Sequence, residues 1–74
     1  MFNINKIRIF ADTILYNDYQ IAFFVDYPNS HEVGLCMSSE DMENNDVDPI
    51  TADEIMQNKR KIIQEILRFG YSIV

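Results

Sequence analysis

The 74-residue chain predicts an α+β fold: an antiparallel sheet of three to four strands with one C-terminal amphipathic helix packed on one face. Three observations carry that prediction. Apolar and polar residues alternate with the two-residue period of strands within residues 3–38, and a helical period takes over after residue 50. Only one segment is long enough for a crossover helix and it comes almost last, which argues against a parallel βαβ unit.

The elements follow in order. In NKIRIFA, residues 5–11, Ile7, Ile9 and Ala11 share one face of a strand and Lys6, Arg8 and Phe10 the other. Thr13 to Tyr16 and Tyr19 to Val25 are rich in β-branched and aromatic residues and flank Asn17-Asp18, a pair that tolerates the positive φ angles of a tight hairpin turn. Alternatively, Thr13 to Tyr16 prolongs the first strand. YPNSH supplies the next turn, with Pro28 pre-setting φ and Asn29 suited to the following position, before EVGLCMS resumes the alternation. Val33, Leu35 and Met37 then form one row and Ile21, Phe23 and Val25 the matching row, which is the predicted core surface of the sheet. Cys36 falls on the opposite side with Glu32 and Gly34. Phe10, Leu15, Ala22 and Phe24 lie on a second face that one helix leaves uncovered.

The helix has the clearest start signals. Thr51 and Glu54 match a capping box, and Ile50 with Ile55 matches a hydrophobic staple. Ile55, Met56, Ile62, Ile63, Ile66 and Leu67 form its apolar stripe, and Gly70 suits the left-handed position that ends a helix. The resulting division is a single small domain over 1–74, with strands within 3–38, an acidic connector over 38–50, the helix over 51–69 and a short tail over 70–74. The tail, YSIV, is apolar enough to add a short strand or lie on the sheet.

Apolar residues make up 47% of the chain, enough for a packed core. The single cysteine, Cys36, permits no intrachain disulfide and suits a reducing, cytoplasmic compartment. No apolar run approaches the roughly 20 residues of a membrane span, and the N-terminus lacks the continuous apolar stretch of a signal peptide.

Charge is the most informative feature. The formal net charge is −6, and from Asp26 to Glu54 there are nine acidic residues and no lysine or arginine. Direct nucleic-acid binding is disfavoured, because phosphate contacts need clustered Lys and Arg. The NKRK run at 58–61 reads as the solvated side of an amphipathic helix, with Lys59 snorkelling from a gap in the apolar stripe.

No catalytic, cofactor or metal residue is predicted. Counting from Asp41, the sixth position of a calcium loop is Asp46 where Gly is needed, and the twelfth is Ala52 where a bidentate Glu is needed. His31 and Cys36, five residues apart on one strand, project to opposite faces and form no dyad. Only Gly34 and Gly70 are present, so there is no phosphate-cradling loop.

These features point to a protein-binding module. The candidate partner-binding residues are Glu40, Asp41, Glu43, Asp46 and Asp48, with Asp26, Glu32 and Tyr27. Asp53 and Glu54 are assigned instead to the first turn of the helix, where negative charge complements the helix dipole. The expected partner is a protein with a basic surface, most concretely a nuclease or other nucleic-acid enzyme inhibited by charge mimicry. In size and charge, though in no shared motif, such a protein compares with the small acidic inhibitors that phages encode. Mimicry requires compaction: fully extended, the stretch from Glu40 to Glu54 would spread seven charges over about 50 Å, whereas duplex DNA carries about one per 1.7 Å. The alternatives are a structural subunit or homodimer paired through the second sheet face, its acidic loop serving solubility, and an antitoxin or immunity protein.

Overall fold

The computed structural model describes residues 2–74. After a 3-10 turn at Ile4–Lys6 come β1 (Ile7–Ile9), β2 (Thr13–Tyr16), β3 (Tyr19–Phe24) and β4 (Glu32–Leu35). Three helices follow, α1 (Ser39–Asn44), α2 (Pro49–Gln57) and α3 (Lys59–Arg68), and then β5 (Ser72–Ile73). The α+β class stands, but the sheet has five strands in the order β1-β2-β3-β4-β5.

The first four strands form an antiparallel meander, and β2 is a strand of its own. The two-residue turn at Asn17-Asp18 forms as expected, with Asn17 at φ 60 and Tyr16 opposite Tyr19. The next turn runs from Asp26 to Asn29, closed by the Asn29 N–H donating to the Asp26 carbonyl at 2.7 Å, so Pro28 stands third in it and not second.

The parallel pair is a correction. β5 runs parallel to β4, with Val33 opposite Ile73. The crossover that makes this possible is shared among three helices and is not a single long one. A two-residue strand carries too little alternation to show its partner in the sequence.

The face assignment also changes. Between Ile14 opposite Ala22 and Leu15 opposite Gln20, β3 has one residue more than β2. Ile21 is the extra residue, and this bulge shifts the alternation of everything after it. Ile21 and Ala22 are therefore both fully buried, while Phe23, expected in the core row, turns outward and is 42% exposed. Phe24 packs on the core in its place, beside Val33 and Leu35. The outer face carries Arg8, Thr13, Leu15, Gln20, Phe23 and Gly34, as the strand register requires. The Phe23 ring lies so close over Gly34 that a β-carbon there would sit 2.5 Å from its Cζ, so only glycine accepts this ring position.

The core joins the inner face to the helices. Ile14, Tyr16, Ile21, Ala22 and Val33 meet Met37, Met42, Ile55, Ile62 and Ile66. The helical stripe thus holds at Ile55, Ile62 and Ile66, whereas Leu67 is 50% exposed.

Both signals placed at the helix start are corrected. Asp48 caps α2: its Oδ1 accepts the Thr51 N–H at 2.8 Å, and Pro49 takes the first helical position, where its missing N–H costs nothing. Thr51 is buried inside the first turn, and Ile50 is 82% exposed and staples nothing. The helix also breaks at Asn58, whose side-chain amide donates to the Glu54 carbonyl at 2.8 Å and competes with the backbone ladder. At the far end Gly70 adopts φ 98, the left-handed conformation expected of it.

Candidate functional site

The acidic connector folds as a helix. Ser38 and Asp41 form a capping box: the Ser38 hydroxyl accepts the Asp41 N–H at 3.0 Å, and Asp41 Oδ2 accepts the Ser38 N–H at 3.0 Å and its O–H at 2.7 Å. The Ser38 hydroxyl, then its N–H, hold the Asp41 carboxyl below the usual range, and the charge of Lys59 adds to this. A helix of six residues is too short to persist alone, so the cap and the burial of Met42 hold it in place. The chain leaves α1 through Asn45 and Asp46, the latter left-handed at φ 52, and the Val47 N–H returns to the Met42 carbonyl at 3.1 Å. Asp48 then starts α2, held below the usual carboxylate range chiefly by the Thr51 N–H.

The sequence-selected acids therefore separate into two kinds. Asp41 and Asp48 are helix caps, while Glu40, Glu43 and Asp46 are exposed and free of salt bridges among the described residues. With α2 beginning at Pro49, Asp53 and Glu54 fall beyond its first turn, contrary to their assignment from sequence. Asp53 is exposed, accepts from Gln57 Nε2 at 2.9 Å and joins the acidic set. Between α1 and α2 lies a groove of about 370 Å³, with Met42, Val47, Ala52 and Met56 as its apolar lining and Glu43 and Asp53 at its rim.

Asp26, Tyr27 and Glu32 are not part of this corner. They lie where β3 ends and β4 begins, whereas α1 starts beyond the opposite end of β4. Five residues lie between Glu32 and Ser38, a span of up to about 20 Å of extended chain. Here a second cleft of about 290 Å³ is lined by Phe10, Phe24, Tyr27, Pro28, His31 and Tyr71, together with smaller residues. Phe24 meets Tyr71 edge-on at 4.9 Å between centroids, and His31 stacks on Tyr71 at 6.1 Å.

Glu54 belongs to a network that sequence reasoning did not find. The Tyr16 hydroxyl donates to Glu54 Oε1 at 2.7 Å, and Lys6 Nζ lies 3.0 Å from Oε2. Burial, then the bond to Glu54, push the Tyr16 phenol up to about 12, while the Tyr16 and Lys6 donors hold Glu54 below its usual value. These three residues come from the 3-10 turn, β2 and α2. No sequence spacing links them.

The NKRK segment lines a shallow groove with Met56 and Ile63, and Lys59, Arg60 and Lys61 make no salt bridge among the described residues. Lys59 is half-buried, in keeping with a snorkelling side chain. His31 and Cys36 stand at opposite ends of β4. Among the described residues no group of three or more His, Cys, Asp or Glu side chains is placed to hold a metal ion, and no helix is long and apolar enough to cross a membrane.

Sequence reading missed Met56 and Asp53 as groove residues and Tyr71 as a cleft residue. For Asp53 the available signal was Pro49, whose preference for the first helical position moves the helix start forward. Comparison with family models, curated proteins and solved structures finds no match to this chain.

Proposed function

We propose that the chain is a protein-binding module whose α1–α2 corner engages a basic surface of a partner, in the manner of an inhibitor that occupies the nucleic-acid site of an enzyme. The supporting observation is compaction. Helix α1 and the turn after it gather Glu40, Asp41, Glu43 and Asp46 within about 10 Å of chain, where duplex DNA would carry about six charges. The groove beside them gives the same corner an apolar lining between Glu43 and Asp53. It suits a basic segment that also carries an apolar side chain.

The test separates binding charge from capping charge. Changing Glu40→Gln, Glu43→Gln and Asp46→Asn together leaves both helix caps intact, so the melting temperature stays within a few degrees. Capture of a basic partner weakens by on the order of tenfold or more. Association of the unaltered chain slows as salt rises. Capture indifferent to the triple change and to salt would refute the reading.

A second reading, a homodimer paired through the outer sheet face, is favoured by Phe23, which is large and 42% exposed there, since such a face is a common site of association. It predicts a dimer mass in sedimentation equilibrium that Phe23→Ser converts to monomer. A strictly monomeric mass at high concentration would rule it out.

A further inference from the structure

We infer that the aromatic cleft between the β3–β4 turn and the C-terminal tail is a binding site for a guanidinium group, the side chain of an arginine on a partner protein. It rests on the reading of the partner as basic and adds a second anchor, remote from the α1–α2 corner.

Three separate segments build the cleft. Phe10 comes from the β1–β2 turn, Phe24, Tyr27, Pro28 and His31 from the end of β3 and the turn after it, and Tyr71 from the tail before β5. The segments are tied together by backbone bonds: the Phe24 N–H donates to the Asp12 carbonyl at 3.0 Å, and the Ser72 N–H to the His31 carbonyl at 3.0 Å. A volume of about 290 Å³ falls at the lower limit of small-molecule pockets and suits a single side chain.

Charge selects which side chain. The cleft lining contains no Lys or Arg and no carboxylate, and its large side chains are mostly aromatic, a residue type whose ring face attracts a cation. Three carboxylate residues stand next to lining residues in the chain: Asp12 follows Ala11 and its carbonyl accepts the Phe24 N–H, Asp26 precedes Tyr27, and Glu32 follows His31 but alternates with the buried Val33 and so belongs to the outer face of the sheet. None of the three takes part in a salt bridge among the described residues. Arg8, the nearby cation, stands over the Phe10 ring at 5.6 Å, but its charge is already matched by Asp18 at 2.9 Å. A planar guanidinium stacks on aromatic rings and leaves its N–H groups free for neighbouring carboxylates such as Asp12 and Asp26, which an ammonium does less well.

The experiment uses the full chain, isotopically labelled, titrated in NMR with acetyl-Gly-Arg-Gly-amide and with the same peptide carrying citrulline, the neutral isostere of arginine. The expected result is saturable shifts at Tyr27, His31 and Tyr71 with the arginine peptide, and binding at least about fivefold weaker with citrulline. Tyr27→Ala, at a side chain 50% exposed, and the pair Asp26→Asn with Asp12→Asn each reduce affinity by about the same factor. Asparagine tolerates the positive φ of Asp26, so the second variant keeps the fold. Equal binding of the citrulline peptide, or tighter binding of a proline-rich peptide, overturns the inference. Shifts confined to residues 39–48 overturn it too, while leaving the reading of the acidic corner intact.

Discussion

Ile62→Ala is expected to remove roughly half of the protein's stability. Ile62 is fully buried and sits at the centre of the helix stripe, in contact with a core drawn from both sheet and helices. Truncating a buried isoleucine costs about 2–5 kcal/mol, from lost transfer energy plus the cavity left behind. A domain of this length has a total stability of only about 4–11 kcal/mol. Urea unfolding followed by far-UV circular dichroism should therefore show a midpoint lowered by roughly half. Leu67→Ala is the matched control. Leu67 belongs to the same stripe in the sequence but is half-exposed in the fold, and its truncation should cost less than about 1 kcal/mol. Equal losses from the two substitutions would contradict the packing described above.

The second large effect is expected at the Tyr16–Glu54 pair. Tyr16 is fully buried, and its hydroxyl donates to Glu54, whose side chain is only 14% exposed. Glu54→Ala strands that hydroxyl in the core and should cost about 2–3 kcal/mol, whereas loss of the half-exposed Lys6 contact contributes little. The pair also shapes the pH dependence, with opposite signs at the two ends. Glu54 is held below its usual value in the folded state, so its contribution is present above the unfolded carboxylate range and disappears as pH falls through the folded value. Asp41 and Asp48 act in the same direction. Tyr16 is raised from 10.0 to about 12, so the folded state prefers the neutral phenol, and stability is lost as pH rises from 10.0 to about 12. Denaturation midpoints across pH should form a plateau with an acid and an alkaline limb. Tyr16→Phe should flatten the alkaline limb selectively, while Glu54→Gln should reduce the acid limb and retain an acceptor for the phenol. An unchanged alkaline limb in Tyr16→Phe would show that other groups govern it.

Local signals proved legible to the extent that they were complete within a few residues. The Asn17-Asp18 turn, the helical stripe through Ile55, Ile62 and Ile66, and the left-handed Gly70 all appear where the residue types place them. Cap chemistry was ambiguous. Residues 48–54 offer two N-cap candidates, Asp48 before Pro49 and Thr51 before Glu54, and the burial of Thr51 together with the pull of Tyr16 on Glu54 selects the first. Helix α1 was hidden because its one buried side chain, Met42, makes no periodic stripe, although Ser38 and Asp41 stand at capping-box spacing. The bulge at Ile21 could not be read at all. An inserted residue shifts every later side chain to the other face, and nothing in IAFF favours one register until the helices cover one side.

By itself the sequence determined the α+β class and the concentration of negative charge between Asp26 and Glu54, because composition and short-range periodicity suffice for these. The tertiary structure decided which carboxylates are engaged within the fold. Asp41, Asp48 and Glu54 are occupied by Ser38, Thr51 and Tyr16, and that distinction depends on hydrogen bonds whose partners are chosen by packing. It also brought Tyr27 and Tyr71 to one cleft from widely separated parts of the chain. Contacts between residues so far apart exist only when β5 closes beside β4, and no local pattern specifies that pairing.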